Sequence, residues 1–275
     1  LNKKKYVIDE SFKIDETKLR DLIEERAVPL EQKAVNASAS YNESGFDLTD
    51  EAEGYTVDID KSVKKIKNFM NKKWNYEDAE VELTLDTEDP AVKKTDLESL
   101  QDELGSYSTN AGWGDRVQNL RRAAELINGT VVMPGEEFSV EQTTLPYTEE
   151  NGYVAGSAYE NGQIVESIGG GLCQVSTTLY NAVLYAELEV TQRASHSMSV
   201  SYVDPSRDAM IAEGISDFKF VNNYDTPILI EGYIDSNNQL GFYIYGKDTR
   251  DAEHSVEFES ETLETTEYTT KYVED

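Results

Sequence analysis

Residues 169–187 read GGGLCQVSTTLYNAVLYAE, three glycines followed by a run whose apolar members Val175, Leu179, Ala182, Val183 and Ala186 recur at helical spacing. That spacing puts one continuous apolar face on a helix of about four turns, so the helix has to bury that face against other elements. The elements available downstream are strands. After residue 197 the segments SMSVSYV, DAMIAEGI, SDFKFVNN, TPILIEGYID and LGFYIYG alternate or run apolar, and are separated by turn signals at DPSR and SNNQ. The C-terminal half therefore reads as a mainly antiparallel β domain built around one cysteine-bearing helix.

The N-terminal half has a different rhythm. KYVID, DETKLRDLIEERA, EGYTVDIDKSVKKIKNFMN, EVELTLD and KTDLESLQDEL alternate short extended runs with helical patterns. Val63, Ile66, Phe69 and Met70 mark an amphipathic helix, and Val81, Leu83 and Leu85 mark a half-buried strand. These residues predict a small α+β module over 1–104. GSYSTNAGWGD at 105–115 is rich in Gly, Ser, Thr and Asn and reads as the linker to a second domain over 105–275. That domain opens with GDRVQNLRRAAELING, a helix with Asp115 as N-cap and Gly129 as stop, followed by TVVMPGEEF as a short strand into a Pro-Gly turn.

Composition excludes several classes. With 54 acidic against 25 basic residues the net charge is −29, and binding to nucleic acid depends on the opposite sign. Such a surface favours cationic partners such as free amines, although a simple solvated acidic face explains it too. One Cys and two His leave neither a disulfide framework nor a multi-cysteine or histidine-rich metal site, so no cofactor or metal is expected. No stretch approaches the roughly 18 to 20 apolar residues that cross a bilayer. The chain starts LNKKKYV without Met, and the expectation is a fragment whose export signal or membrane anchor lies upstream.

Cys173 stands at the start of the predicted helix, where unpaired N–H groups and the helix dipole lower a thiol pKa. The glycines before it permit a tight turn and close approach to a substrate, and the N–H groups around them can form an oxyanion hole. A helix over 172–187 is roughly 23 Å long at 1.5 Å per residue. A return of about seven extended residues at roughly 3.3 Å each covers the same length. Counted from 188, the return lands on His196, and a cysteine at a helix start facing a histidine on a returning strand is a papain-like arrangement. The alternative is a small buried thiol, since free Cys is among the most buried residues. To hold the imidazole, Asp208 and Asp217 are the candidates. A hairpin pairing 198–203 with 208–213 puts Asp208 at the far turn and favours Asp217, whereas Asp208 then reads as a turn-stabilising residue. Gly170, Gly171, Gln174, Ser176 and Thr177 in and before the first helical turn, and Ser197, Tyr202 and Arg207 beyond the histidine, complete the candidate substrate-binding set. Ser176 and Thr177 have helix capping as their alternative, Tyr202 packing in a sheet, and Arg193 a structural role.

The segments NLRRAAELINGTVVMPGEEFSV and GYVAGSAYENGQIVESIGGGLCQVSTTLYNAVLYAELEVTQRASHSMSVSYVDPSRDAMI resemble the VanW domain, from about Ser106 to about Asn223. GGGLCQVSTTLYNA, RASHS and RDA carry the resemblance. Residues 1–104, ending in LGSYSTN, look like the peptidoglycan-binding module that often precedes that domain in Gram-positive surface proteins. The resemblance implies an extracytoplasmic cell-wall role. It also implies L,D-transpeptidation on peptidoglycan stem peptides, with Cys173 as nucleophile, His196 as base and Asp208 of RDA as a candidate third residue. Ala194-Ser195 replaces a second His that often precedes the motif histidine, which leaves His196 as the sole nearby imidazole.

Overall fold

The computed structural model describes residues 13–160, 163–259 and 261–264, and the predicted strand KYVID lies outside them. The first elements are α1 (Glu16–Arg26), β1 (Ala39–Asn42), β2 (Gly45–Leu48), β3 (Gly54–Val57), α2 (Ile59–Lys72), β4 (Leu85–Glu88), α3 (Lys94–Leu97), β5 (Asp102–Asn110) and α4 (Arg116–Ile127). There follow β6 (Thr130–Val132), β7 (Glu137–Ser139), α5 (Val140–Thr144), β8 (Ala155–Glu160), β9 (Gln163–Ile168), α6 (Cys173–Tyr185), β10 (Glu189–Gln192), β11 (Lys219–Val221), β12 (Ile228–Ile234) and β13 (Gln239–Gly246). The chain divides into two compact units, one running to Ala37 and resuming over Thr49–Lys94, the other combining Ser38–Leu48 with the chain from Thr95 onward.

In the first unit, Asp15 caps α1 and Asp58 caps α2, each through a carboxylate that accepts the N–H of the third residue on. Val63 turns inward from α2, and Glu16–Lys67 and Arg20–Asp60 ion pairs join α1 to α2. The predicted strand EVELTLD pairs only from Leu85, whose ladder partners lie on β3.

The second unit is mixed α/β, and every strand pair among its described residues is antiparallel. Its main sheet has the order β5-β13-β12-β6, a smaller one the order β10-β11-β7, and β8-β9 is a separate two-stranded sheet. α6 packs on β5 and β13, and α4 on β12. Between them Leu120, Ile127, Val175, Leu179, Val183, Phe218, Phe220, Ile230, Phe242 and Ile244 form one buried core. Each such side chain contributes about 1.5–3 kcal/mol by leaving water, and the helical face read at 175–186 is the one that enters it.

Three sequence expectations are corrected here. Residues 105–110 are not a linker but most of β5, hydrogen-bonded to β13 along its length. Gly105, which reads as a loop residue, is glycine because the end of α6 lies on it: a Cβ there would sit 2.4 Å from the Ala186 nitrogen. KTDLESLQDEL splits into α3 and the start of β5, since pairing with β13 outweighs a helical pattern at its end. SMSVSYV and DAMIAEGI form no strands, apart from one bridge between Ala212 and Ser216, so the hairpin that disfavoured Asp208 does not exist.

Candidate functional site

The turn before α6 is shaped by packing. A Cβ on Gly170 would lie 2.1 Å from the carbonyl oxygen of Gly156 on β8, and Gly171 has φ +101°, open to glycine at little cost. Asn119 of α4, fully buried, clamps this junction: its amide donates to the carbonyls of Val154 (2.9 Å) and Gly170 (3.0 Å), and its carbonyl accepts the Val154 N–H (2.8 Å). Gln174 is bolted to the end of β5 through Thr109 and the Asn110 carbonyl, and accepts from the Arg116 guanidinium at 2.9 Å. The two glycines and Gln174 thus build the turn, and Asn119 and Arg116, which no motif flagged, brace it.

The cysteine begins α6, and its thiol donates to the carbonyl of Ile211 at 3.3 Å. Burial pushes the thiol above its ordinary value of 9.0, and the charge of Asp208 adds to the effect, while the Ile211 contact and its own N–H work against it. The helix start therefore does not lower the pKa as the sequence led one to expect; desolvation outweighs the dipole. Around the turn the N–H groups of Gly170, Leu172 and Gln174 are taken by local carbonyls. No backbone carbonyl among the described residues accepts those of Gly171 and Cys173, and the Cys173 N–H lies against its own sulfur.

The histidine half lies in an irregular segment wired by polar groups. Asp208 Oδ2 accepts both the backbone N–H of His196 (2.6 Å) and its ring Nδ1 (2.6 Å). Arg193 donates to the Asp208 carbonyl (2.7 Å) and to its Oδ1 (3.1 Å), and stacks over Tyr180 on α6. Burial alone would raise the Asp208 carboxyl, but the hydrogen bonds from His196 and from its own N–H, with the adjacent imidazole, outweigh it and hold the group below its ordinary value. An ionised carboxylate only accepts, so Nδ1 is the donor of this pair, which leaves Nε2 as the lone-pair nitrogen in the neutral tautomer.

One seam joins the halves. Ser176 donates to the Ala209 carbonyl at 2.6 Å, and Thr177 both donates to that carbonyl (3.2 Å) and accepts the Ala209 N–H (2.9 Å). One turn on, Asn181 donates to the carbonyl of Arg207 at 2.8 Å. The hydroxyls thus anchor the Asp208 loop to the cysteine helix rather than capping it. No hydrogen bond joins Cys173 to His196.

The other candidates fall elsewhere. Asp217 accepts from Ser139 (2.6 Å) and from the N–H groups of Glu141 (2.9 Å) and Phe218 (2.7 Å), which commits it to the start of α5 and not to His196. Arg207 sits among the rings of Tyr107, Tyr185 and Phe258, with Nε and Nη2 buried and unpartnered among the described residues. Ser197 is exposed. Tyr202 is half-buried close to Cys173 and Thr177, and burial raises its hydroxyl, as it pushes Tyr147 on the same side up to about 12.

Comparison with known proteins adds the family. The family model described as "VanW like protein" matches residues 115–245, and the one described as "Putative peptidoglycan binding domain" matches residues 1–79. An uncharacterized protein of Bacillus subtilis (strain 168), YoaR, is 44% identical over 130 residues, which are 46% of this chain and 43% of YoaR. The vancomycin B-type resistance protein VanW of Enterococcus faecalis (strain ATCC 700802 / V583) is 30% identical over 146 residues, 49% of this chain and 53% of that protein. The chain thus spans about half the length of the curated relatives it matches, and no solved structure matches it. Residues 115–245, which hold Cys173, His196 and Asp208 together, are a VanW-like domain, and the chain is a VanW-domain protein.

Proposed function

We propose that this chain is an extracytoplasmic cysteine L,D-transpeptidase of peptidoglycan, with a papain-like pairing of a cysteine helix and a returning histidine segment. The peptidoglycan-binding match supports the cell-wall setting, and the VanW-like match supports a wall-related role. The observation that carries the chemistry is the Asp208 carboxylate held at 2.6 Å on His196 Nδ1, on a loop hydrogen-bonded to the first turns of the Cys173 helix.

In this reading the thiol turns from the Ile211 carbonyl, and His196 Nε2 takes its proton. The sulfur attacks the carbonyl of the diamino residue of a stem tetrapeptide, and the N–H group of Gly171, joined by that of Cys173 as the sulfur moves onto the substrate, receives the developing oxyanion. The C–N bond to the terminal D-Ala breaks as the imidazolium protonates its nitrogen, leaving a thioester. The amine of a second stem gives its proton to His196 and displaces the sulfur, which forms a 3–3 cross-link and restores the thiol. Asp208 and Arg193 act as positioning residues.

The raised thiol pKa and the missing Cys173–His196 hydrogen bond favour one other reading, a wall-binding module in which the cysteine is structural. Muropeptide analysis of wild type and Cys173→Ala with disaccharide-tetrapeptide separates them. Cross-linked dimers with release of D-Ala, absent in the variant, are the expected result. Monomeric tripeptide would replace the amine acceptor by water, and unchanged substrate would overturn the enzyme.

A further inference from the structure

One helix of the first unit carries a charge pattern opposite to that of the chain. Between residues 61 and 73 the sequence KSVKKIKNFMNKK has six lysines and no acidic residue, although the whole chain has a net charge of −29. On α2 the positions 61, 65, 68 and 72 are spaced by four, three and four, with 64 beside 65, so they form one stripe, on the side opposite the buried Val63. Like charges one turn apart weaken a helix. Lys61 is neutralised by Asp58 and Asp86, and Lys67 by Glu16. Lys64, Lys65 and Lys72 are exposed and make no ion pair among the described residues.

These lysines form one side of a cleft of about 810 Å3, within the usual size range of ligand sites. Phe69 and Val81, both partly buried, supply apolar surface. Glu80 and Glu82 line it too, are exposed, and likewise have no ion-pair partner among the described residues. A cleft with unpaired cations from the helix, unpaired anions from residues 80–82 and apolar contact between them is complementary to a zwitterion carrying carboxylates and a free amine. A simple polyanion would be repelled by the glutamates.

We propose that this cleft is a binding site for a peptidoglycan stem peptide, with its carboxylates held by Lys64, Lys65 and Lys72 and the free amine of its diamino residue held by Glu80 and Glu82. The proposal rests on the cell-wall setting above and gives it a place and a chemistry. The test uses the full chain with Cys173→Ala, so that nothing turns over. Titration calorimetry would measure disaccharide-tetrapeptide, the same compound with its side-chain amine acetylated, and polyphosphate.

The expected result is tighter binding of the free amine than of the acetylated form. The triple variant Lys64→Glu/Lys65→Glu/Lys72→Glu should then lose affinity about tenfold or more, since exposed charge pairs of this number sum to about 1.4 kcal/mol. The corresponding triple Arg variant should retain binding, which separates loss of charge from misfolding. Glu80→Gln/Glu82→Gln should weaken the free-amine ligand and leave the acetylated one unchanged. Equal binding by wild type and the triple Glu variant, no muropeptide binding at all, or tighter binding of polyphosphate than of muropeptide would each overturn the assignment. Turnover by the Cys173-intact chain is read separately, so an inactive enzyme with a working cleft would sink the transpeptidase alone.

Discussion

The helix α6 and the segment 193–211 each hold one half of the candidate site, by opposite means. The helix is set by apolar burial: Val175, Leu179, Ala182 and Val183 are fully buried, and the turn before it is pressed against Gly156. The segment has no regular structure and little apolar anchorage beyond Ala209 and Ile211. Its shape comes from Arg193, His196, Ser176, Thr177 and Asn181 reaching carbonyls and the single carboxylate of Asp208. A nucleophile on a packed helix is held stiffly, whereas a base on a loop of polar contacts is only as well placed as each contact allows.

The largest expected effect breaks the loop side. Asp208→Asn keeps the shape but replaces a carboxylate by an amide, so the Nδ1 proton loses its charged acceptor. The proposed transpeptidation should fall by about 10²- to 10⁴-fold with little change in KM, in line with loss of acid–base catalysis, as steady-state muropeptide assays would show. An unchanged kcat would mean that Asp208 serves structure alone.

Gly170→Ala strikes the helix side. Its new Cβ meets backbone, which cannot swing away, so the variant should lose about 1–3 kcal/mol or fail to accumulate as folded protein, as urea denaturation would measure. Thr177→Val cuts the seam with almost no change in volume. The Ala209 N–H would then be left buried without its acceptor, at about 1–3 kcal/mol. The activity lost should exceed what the stability loss explains, because the loop shifts while the helix stays.

The smallest effect is a pH dependence. The Asp208 carboxyl lies below its ordinary 3.8 in the folded protein, so its stabilising contribution is complete above that value and fades as pH falls through the folded one. Between about pH 5 and pH 2, wild type should lose stability more steeply than Asp208→Asn. For Cys173 the shift is upward, so a wall-binding module with a structural cysteine predicts slow alkylation by iodoacetamide at neutral pH, accelerating only above the ordinary 9.0. Rapid labelling at neutral pH would instead show that the thiol and His196 meet in solution.

Periodicity was enough to read α2, α6, β12 and β13, because a helix or strand that buries one face must write that face into its spacing, whereas α4 was read from its end signals, of which Asp115 makes no capping hydrogen bond. Likewise the sole cysteine, its glycines and His196 stood out as residue types at telling positions. What the tertiary structure decided were the non-local partners. Whether Asp208 or Asp217 meets the imidazole depends on a loop whose course is set by Arg193 and Thr177, not by any local propensity. Asn119, Arg116 and Gly105 look ordinary in sequence, and their roles exist only because β8, α6 and β5 come within bonding or contact distance of them. The thiol pKa turned on burial too: the position at a helix start was legible, while the desolvation that overrides it belongs to the packed protein.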